Sequence, residues 1–103
     1  ESRDLILNEI KEEYRKTWTQ SPVRSVLANV PNLTICGEHE VRERFGDKPG
    51  DLYQDSWDFF WGQLARKVYY EYQRFLWDEN SMAKPKTITH EFHSHVFGEL
   101  GFF

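Results

Sequence analysis

The sequence holds one cysteine, one methionine and six glycines in 103 residues. A lone cysteine excludes an internal disulfide and leaves the redox compartment undetermined. No window approaches the ~20 consecutive apolar residues of a membrane-spanning helix. A basic surplus is also missing. The formal net charge is −4, so no positive field argues for nucleic acid or an anionic membrane as partner. Repeats and low-complexity tracts are absent. What the chain has in quantity is aromatic rings: Phe, Tyr and Trp make up 17% of it. Side chains of that size build a core from few residues. Economy matters here, because a domain this short buries only roughly 60–65% of its unfolded surface.

Periodicity separates the elements. Ile6, Ile10, Tyr14 and Trp18 recur every four residues with charges between them, which predicts a helix over 4–18, capped by Ser2 or Asp4. "SPVRSVLANVP" predicts a second, shorter helix. Ser21 is its expected N-cap, Pro22 its first residue, Val23, Val26, Leu27 and Val30 its buried side, and Pro31 its stop. "NLTIC", 32–36, is β-branched and apolar and closes on Gly37, the pattern of a short buried strand. Residues 37–55 read as a long loop of six acids against three bases, with a turn at "KPGD". Asp55 or Ser56 should start a helix of about 22 residues. Its stripe is Trp57, Trp61, Leu64, Val68, Tyr72 and Phe75, widened by Phe60, Tyr69 and Leu76. Residues 78–86 read as a loop. "TITHEFHSHVF" alternates like a strand, and Gly98-Glu99 suits a two-residue hairpin turn into "LGFF". The chain does not open with Met and closes inside an apolar run. We therefore expect residues 1–103 to be a single partial domain cut from a longer protein.

One stretch calls for chemistry: "CGEHEVRERFGD", 36–47, where an apolar run breaks at a glycine into Glu-His-Glu. Taken with its surroundings it resembles the PhoD-like (alkaline phosphatase D-like) metallophosphatases. The likeness runs through Val30-Pro31, Gly37-Glu38-His39-Glu40, Arg42 and Gly46-Asp47. It continues through Tyr69-Tyr70-Glu71-Tyr72-Gln73 and Leu76-Trp77-Asp78 to the apolar run from Phe97 to Phe103. These pieces stand in the family's order along nearly the whole chain.

The resemblance implies an α/β fold: the middle segment of a metallophosphatase-type β-sandwich flanked by helices, which as an isolated piece would hold about three helices and three short strands. It implies a metal-dependent phosphoester hydrolase of the alkaline phosphatase or phosphodiesterase type. The intact parent would carry divalent or ferric ions of the Ca, Mn or Fe type. Such hard ions take carboxylate oxygens, and paired ions generate a nucleophilic water. By analogy with the Gly-Asn-His motif of the wider calcineurin-like phosphatases, Glu38 would be a metal ligand. His39 would be the catalytic contact to phosphate, donating a hydrogen bond. Expected partners are a phosphoester substrate and the rest of the parent domain; the segment alone should be inactive.

Departures from the family pattern matter equally. Gly37 replaces its first aspartate. Glu38 replaces the second and is one methylene longer, a displacement of roughly 1.5 Å where catalytic constellations tolerate about 0.5 Å. Arg44 stands where the family has an acid. These changes leave a second reading open: a catalytically inactive pseudo-phosphatase used for binding or structure.

Other features have plainer explanations. Gly37 can serve simply as a positive-φ turn residue, and Glu38, Glu40, Glu43 and Asp47 as a solvated acidic loop. Cys36 reads as a small buried hydrophobe. The 57–76 stripe reads as core. His93 and His95 share one strand face about 6.6 Å apart, but Glu91 is the only other donor there and a closed site needs three or four. Asn32-Leu33-Thr34 fits the glycosylation pattern on a segment expected to be buried.

Overall fold

The computed structural model describes residues 2–78 and 91–103. Helix α1 spans Ser2–Trp18, α2 Ser21–Asn29 and α3 Trp57–Tyr72; strand β1 is His95–Phe97 and β2 Leu100–Phe102. Single 3₁₀ turns lie at Glu38–Glu40, Pro49–Asp51 and Arg74–Leu76. The result is a helix-rich, mixed α/β arrangement.

The core forms where two amphipathic stripes meet. Ile6, Leu7 and Ile10 of α1 pack on Leu64, Ala65 and Val68 of α3, with Tyr14, Val41, Trp61 and Tyr72 at the margin. Aromatic contacts continue the seam: Tyr14 stacks on Tyr72 with centroids 4.9 Å apart, and Trp18 meets both edge-on. A Lys11–Glu71 ion pair at 2.6 Å crosses the same interface. Ser56 caps α3, its Oγ accepting from Phe59 N at 3.0 Å, as expected of a serine before an apolar-periodic run.

The 37–55 loop is tied onto α3. The Phe45 ring lies over Gly62, where an added Cβ would sit 2.5 Å from Phe45 Cζ. Trp61 Nε1 donates to Val41 O at 3.4 Å, and Ser56 Oγ donates to Gly50 O. Asp51 is buried and gathers the loop: it accepts from Gly46 N at 2.7 Å and Lys48 N at 3.2 Å and pairs with Arg42. Burial opposes its charge, but these donors prevail and hold the carboxyl below the usual range.

Several expectations are corrected. Residues 32–36 form no strand, and Leu33 and Ile35 are exposed, because no ladder partner lies beside them among the described residues. Among the described residues two strands are therefore found where three were expected. Helix α2 forms, but Gln20 rather than Ser21 is its N-cap. Val26, Leu27 and Val30 are exposed, since no described element covers that side. Helix α3 has 16 residues, not 22. Gln73 leaves helical φ,ψ and a 3₁₀ turn follows. The change from 3.6 to 3.0 residues per turn takes Leu76 off the buried face, where it is 72% exposed. Trp57 and Phe60, at the other end of the stripe, are exposed too.

The hairpin forms as read, with Phe97 opposite Leu100 and Gly98 at φ +61°, the left-handed value a tight hairpin turn requires at its first central position. The strand reading of 87–97 holds for 95–97 and fails for 91–94, which carry no strand; residues 87–90 lie outside the described residues. So does the 78–86 loop, Asp78 excepted. No described helix is long and apolar enough to cross a membrane.

Candidate functional site

The glutamate–histidine motif folds as a 3₁₀ turn because its own ends close it. Gly37 N donates to Glu40 Oε2 at 2.6 Å, and Val41 N donates to Glu38 O at 3.0 Å. Glu40 is thereby a capping side chain, an assignment strengthened by Gln73 Nε2, which approaches Glu40 Oε1 at 3.5 Å and donates to Tyr14 Oη at 3.1 Å. Gly37 has φ −110°. This extended conformation suits any residue, so a positive-φ turn does not explain the glycine. A Cβ there would lie 3.2 Å from Glu40 Oε2.

Glu38 and His39 are neighbours at the outer side of this turn. Their Oε1 and Nε2 atoms are 3.7 Å apart, with side chains 47% and 73% exposed. His39 stands at the mouth of a concavity of about 360 Å³ between α1, the motif and α3. Glu38 is not among the residues that line it. The cavity walls are aromatic and acidic: Tyr14, Trp18 and Trp61 alternate with Glu9, Glu13 and Glu40. Burial pushes the Tyr14 hydroxyl up to about 12, with the Glu40 charge adding to the effect and the Gln73 hydrogen bond opposing it. The phenol therefore stays neutral around pH 7.

As a metal site the motif is incomplete. Glu38 and His39 offer two donors, whereas a resident ion needs three or more protein ligands. Among the described residues, no group of three His, Cys, Asp or Glu side chains is placed to hold one. The implied ions therefore do not fit the residues present here by themselves.

The His93–His95 pair is engaged differently. His93 Nε2 donates to Thr34 O at 2.9 Å, and its Nδ1 shares a 2.6 Å hydrogen bond with His95 Nε2. A carbonyl can only accept, so in a neutral pair His93 Nδ1 is the acceptor and His95 the donor. Trp77 packs on both rings. The pair ties β1 to the 32–36 segment. Glu91 does not join it: that carboxylate takes Tyr70 Oη at 2.7 Å, Arg74 at 2.8 Å and Arg66 at 3.1 Å.

Cys36 is half-buried. Desolvation first, then the Glu40 and Glu91 charges, pushes its thiol up to about 11, which makes it a weak nucleophile. Asn32 is exposed, so burial does not exclude the glycosylation pattern there. Two roles were missed by sequence reasoning: Glu40 as a cap and Asp51 as the loop's anchor. Gly37 and Lys48 stand at the N-cap positions of these turns, so neither acid follows the Ser/Thr-x-x-Glu/Gln signature that would have marked it.

The fold class reached by the chain is helix-rich α/β. No protein family, curated protein or solved structure matches it.

Proposed function

We propose that this chain contributes to a metal-dependent phosphoester hydrolase, with Glu38 as one metal ligand and His39 as the catalytic contact to phosphate. The remaining ligands would come from outside these residues. The observation that carries the reading is His39 at the mouth of a concavity with Glu38 beside it on the same turn. The PhoD-like motif order supplies the reaction class. Glu40 holds the turn in shape and positions its two neighbours.

The test is hydrolysis of a chromogenic phosphodiester by the full-length protein with added Ca²⁺, Mn²⁺ or Fe³⁺. Metal-dependent turnover is expected. His39→Ala should lower kcat by roughly 10²–10³-fold, the usual loss when one charge-stabilising donor is removed. A folded protein with no bound metal and no turnover under any of these ions overturns the reading.

The second reading, an inactive binding module on the same scaffold, is favoured by one observation. Gly37 has an ordinary negative φ, yet the acid of the family pattern is missing there. Gly37→Asp discriminates. Under the hydrolase reading an added carboxylate changes metal affinity; under the inactive reading it changes neither metal binding nor turnover.

A further inference from the structure

The cavity beside the motif has a composition that the hydrolase reading does not use. We propose that it is a binding site for a small organic cation of the quaternary ammonium class. Its walls combine three rings, Tyr14, Trp18 and Trp61, with three carboxylates, Glu9, Glu13 and Glu40. No lysine or arginine lines it among the described residues. Carboxylates around one space repel one another, and a cation placed among them removes that repulsion. The rings decide which cation. An aromatic face attracts a weakly hydrated charge through its quadrupole, tryptophan most strongly. It supplies no oxygen for a hard metal ion, and no metal-holding group was found among the described residues.

The back wall is preset. Gln73 donates to Tyr14 Oη, and Tyr14 is held between Tyr72 and Trp18. The rings therefore need not be ordered when the ligand enters. About 360 Å³ lies within the ~300–1,000 Å³ of small-molecule sites. One competing cation is present: Lys16 Nζ pairs with Glu13 Oε1 at 2.6 Å. That pair is exposed and cheap to break, whereas Glu9 has no such partner among the described residues.

The inference stands apart from phosphoester hydrolysis, and its test runs without metal. Choline chloride and its uncharged carbon isostere, 3,3-dimethyl-1-butanol, are titrated into the full-length protein in EDTA, with ligand-observed NMR as readout. Saturable choline binding is expected, with the isostere weaker by roughly two- to thirty-fold, the range of a cation–π contribution. Trp18→Leu keeps an apolar wall and should weaken choline but not the isostere. Glu9→Gln, on an exposed helix face, should weaken choline only. Equal binding of both probes would reduce the site to a plain apolar cavity. Absence of choline binding, or unchanged choline binding in a Trp18→Leu protein with wild-type circular dichroism, also overturns the proposal. Metal-dependent turnover without choline binding sinks this inference alone; choline binding without turnover sinks only the hydrolase.

Discussion

Glu91 joins the segment before β1 to the C-terminal half of α3 and the 3₁₀ turn after it through three donors: Tyr70 and Arg66 of the helix and Arg74 of the turn. Burial disfavours its charge, but those donors prevail and hold the carboxyl below the ordinary glutamate range. A lowered folded value means the stabilisation is full above the unfolded value of about 4.3 and disappears as pH falls through the folded one. Glu91→Gln should therefore cost about 2 kcal/mol at pH 7, the scale of hydrogen bonds to a charged group. The gap to wild type should narrow as the pH falls below the unfolded value and through the lowered folded one. Urea unfolding at a series of pH values checks this; a gap that does not depend on pH would mean that the carboxylate's charge contributes nothing. None of this was visible in the sequence. There Glu91 appeared as a spare ligand beside two histidines, because nothing local indicates which donors will arrive from a helix some twenty residues upstream.

At the scale of elements, Gly62 sits inside α3, where glycine costs roughly 0.5–1 kcal/mol relative to alanine. Propensity alone therefore predicts that Gly62→Ala stabilises. The structure predicts the opposite. The new Cβ would meet the Phe45 ring at 2.5–3.3 Å and push the 37–55 loop off the helix. The expected result is a lower thermal midpoint, restored in part when Phe45 is also shortened to Leu. A raised midpoint for Gly62→Ala alone would show that the ring swings aside freely. The helices themselves were legible, since Ile6 and Ile10, then Leu64 and Val68, mark buried faces at helical spacing and all four are buried. Helix α2 shows the limit of that logic. Its apolar spacing is equally regular, yet it buries no residue, because an amphipathic pattern names a face and not the surface that covers it.

The whole molecule covers its apolar surface unevenly. Its radius of gyration is 15.3 Å, against about 13 Å for a compact domain of 100 residues. The core occupies the α1–α3 seam, while the hairpin stands largely bare: Val96 is 75% exposed, Leu100 65% and Phe97 56%. Among the described residues no third strand pairs with either edge of the ribbon, and unpaired edges are a template for pairing with another chain. The 103-residue chain should accordingly self-associate as its concentration rises, with sedimentation velocity as the measurement. Val96→Lys should shift it toward monomer by charging an exposed position on the ribbon. A monomer at every concentration would mean that this surface is not adhesive.

The sequence by itself determined that three segments turn helical, that α3 starts at Asp55 or Ser56 and that Gly98 bends the hairpin. Each of these depends on φ,ψ preferences and hydrogen bonds within a few residues. Only the tertiary structure decided that 32–36 forms no ladder, that Gln73 reaches Glu40 from 33 residues away, and that rings and carboxylates from separate elements line one concavity beside His39. Burial and charge pairing need a second surface. The identity of that surface is a property of how distant segments meet, which no local pattern encodes.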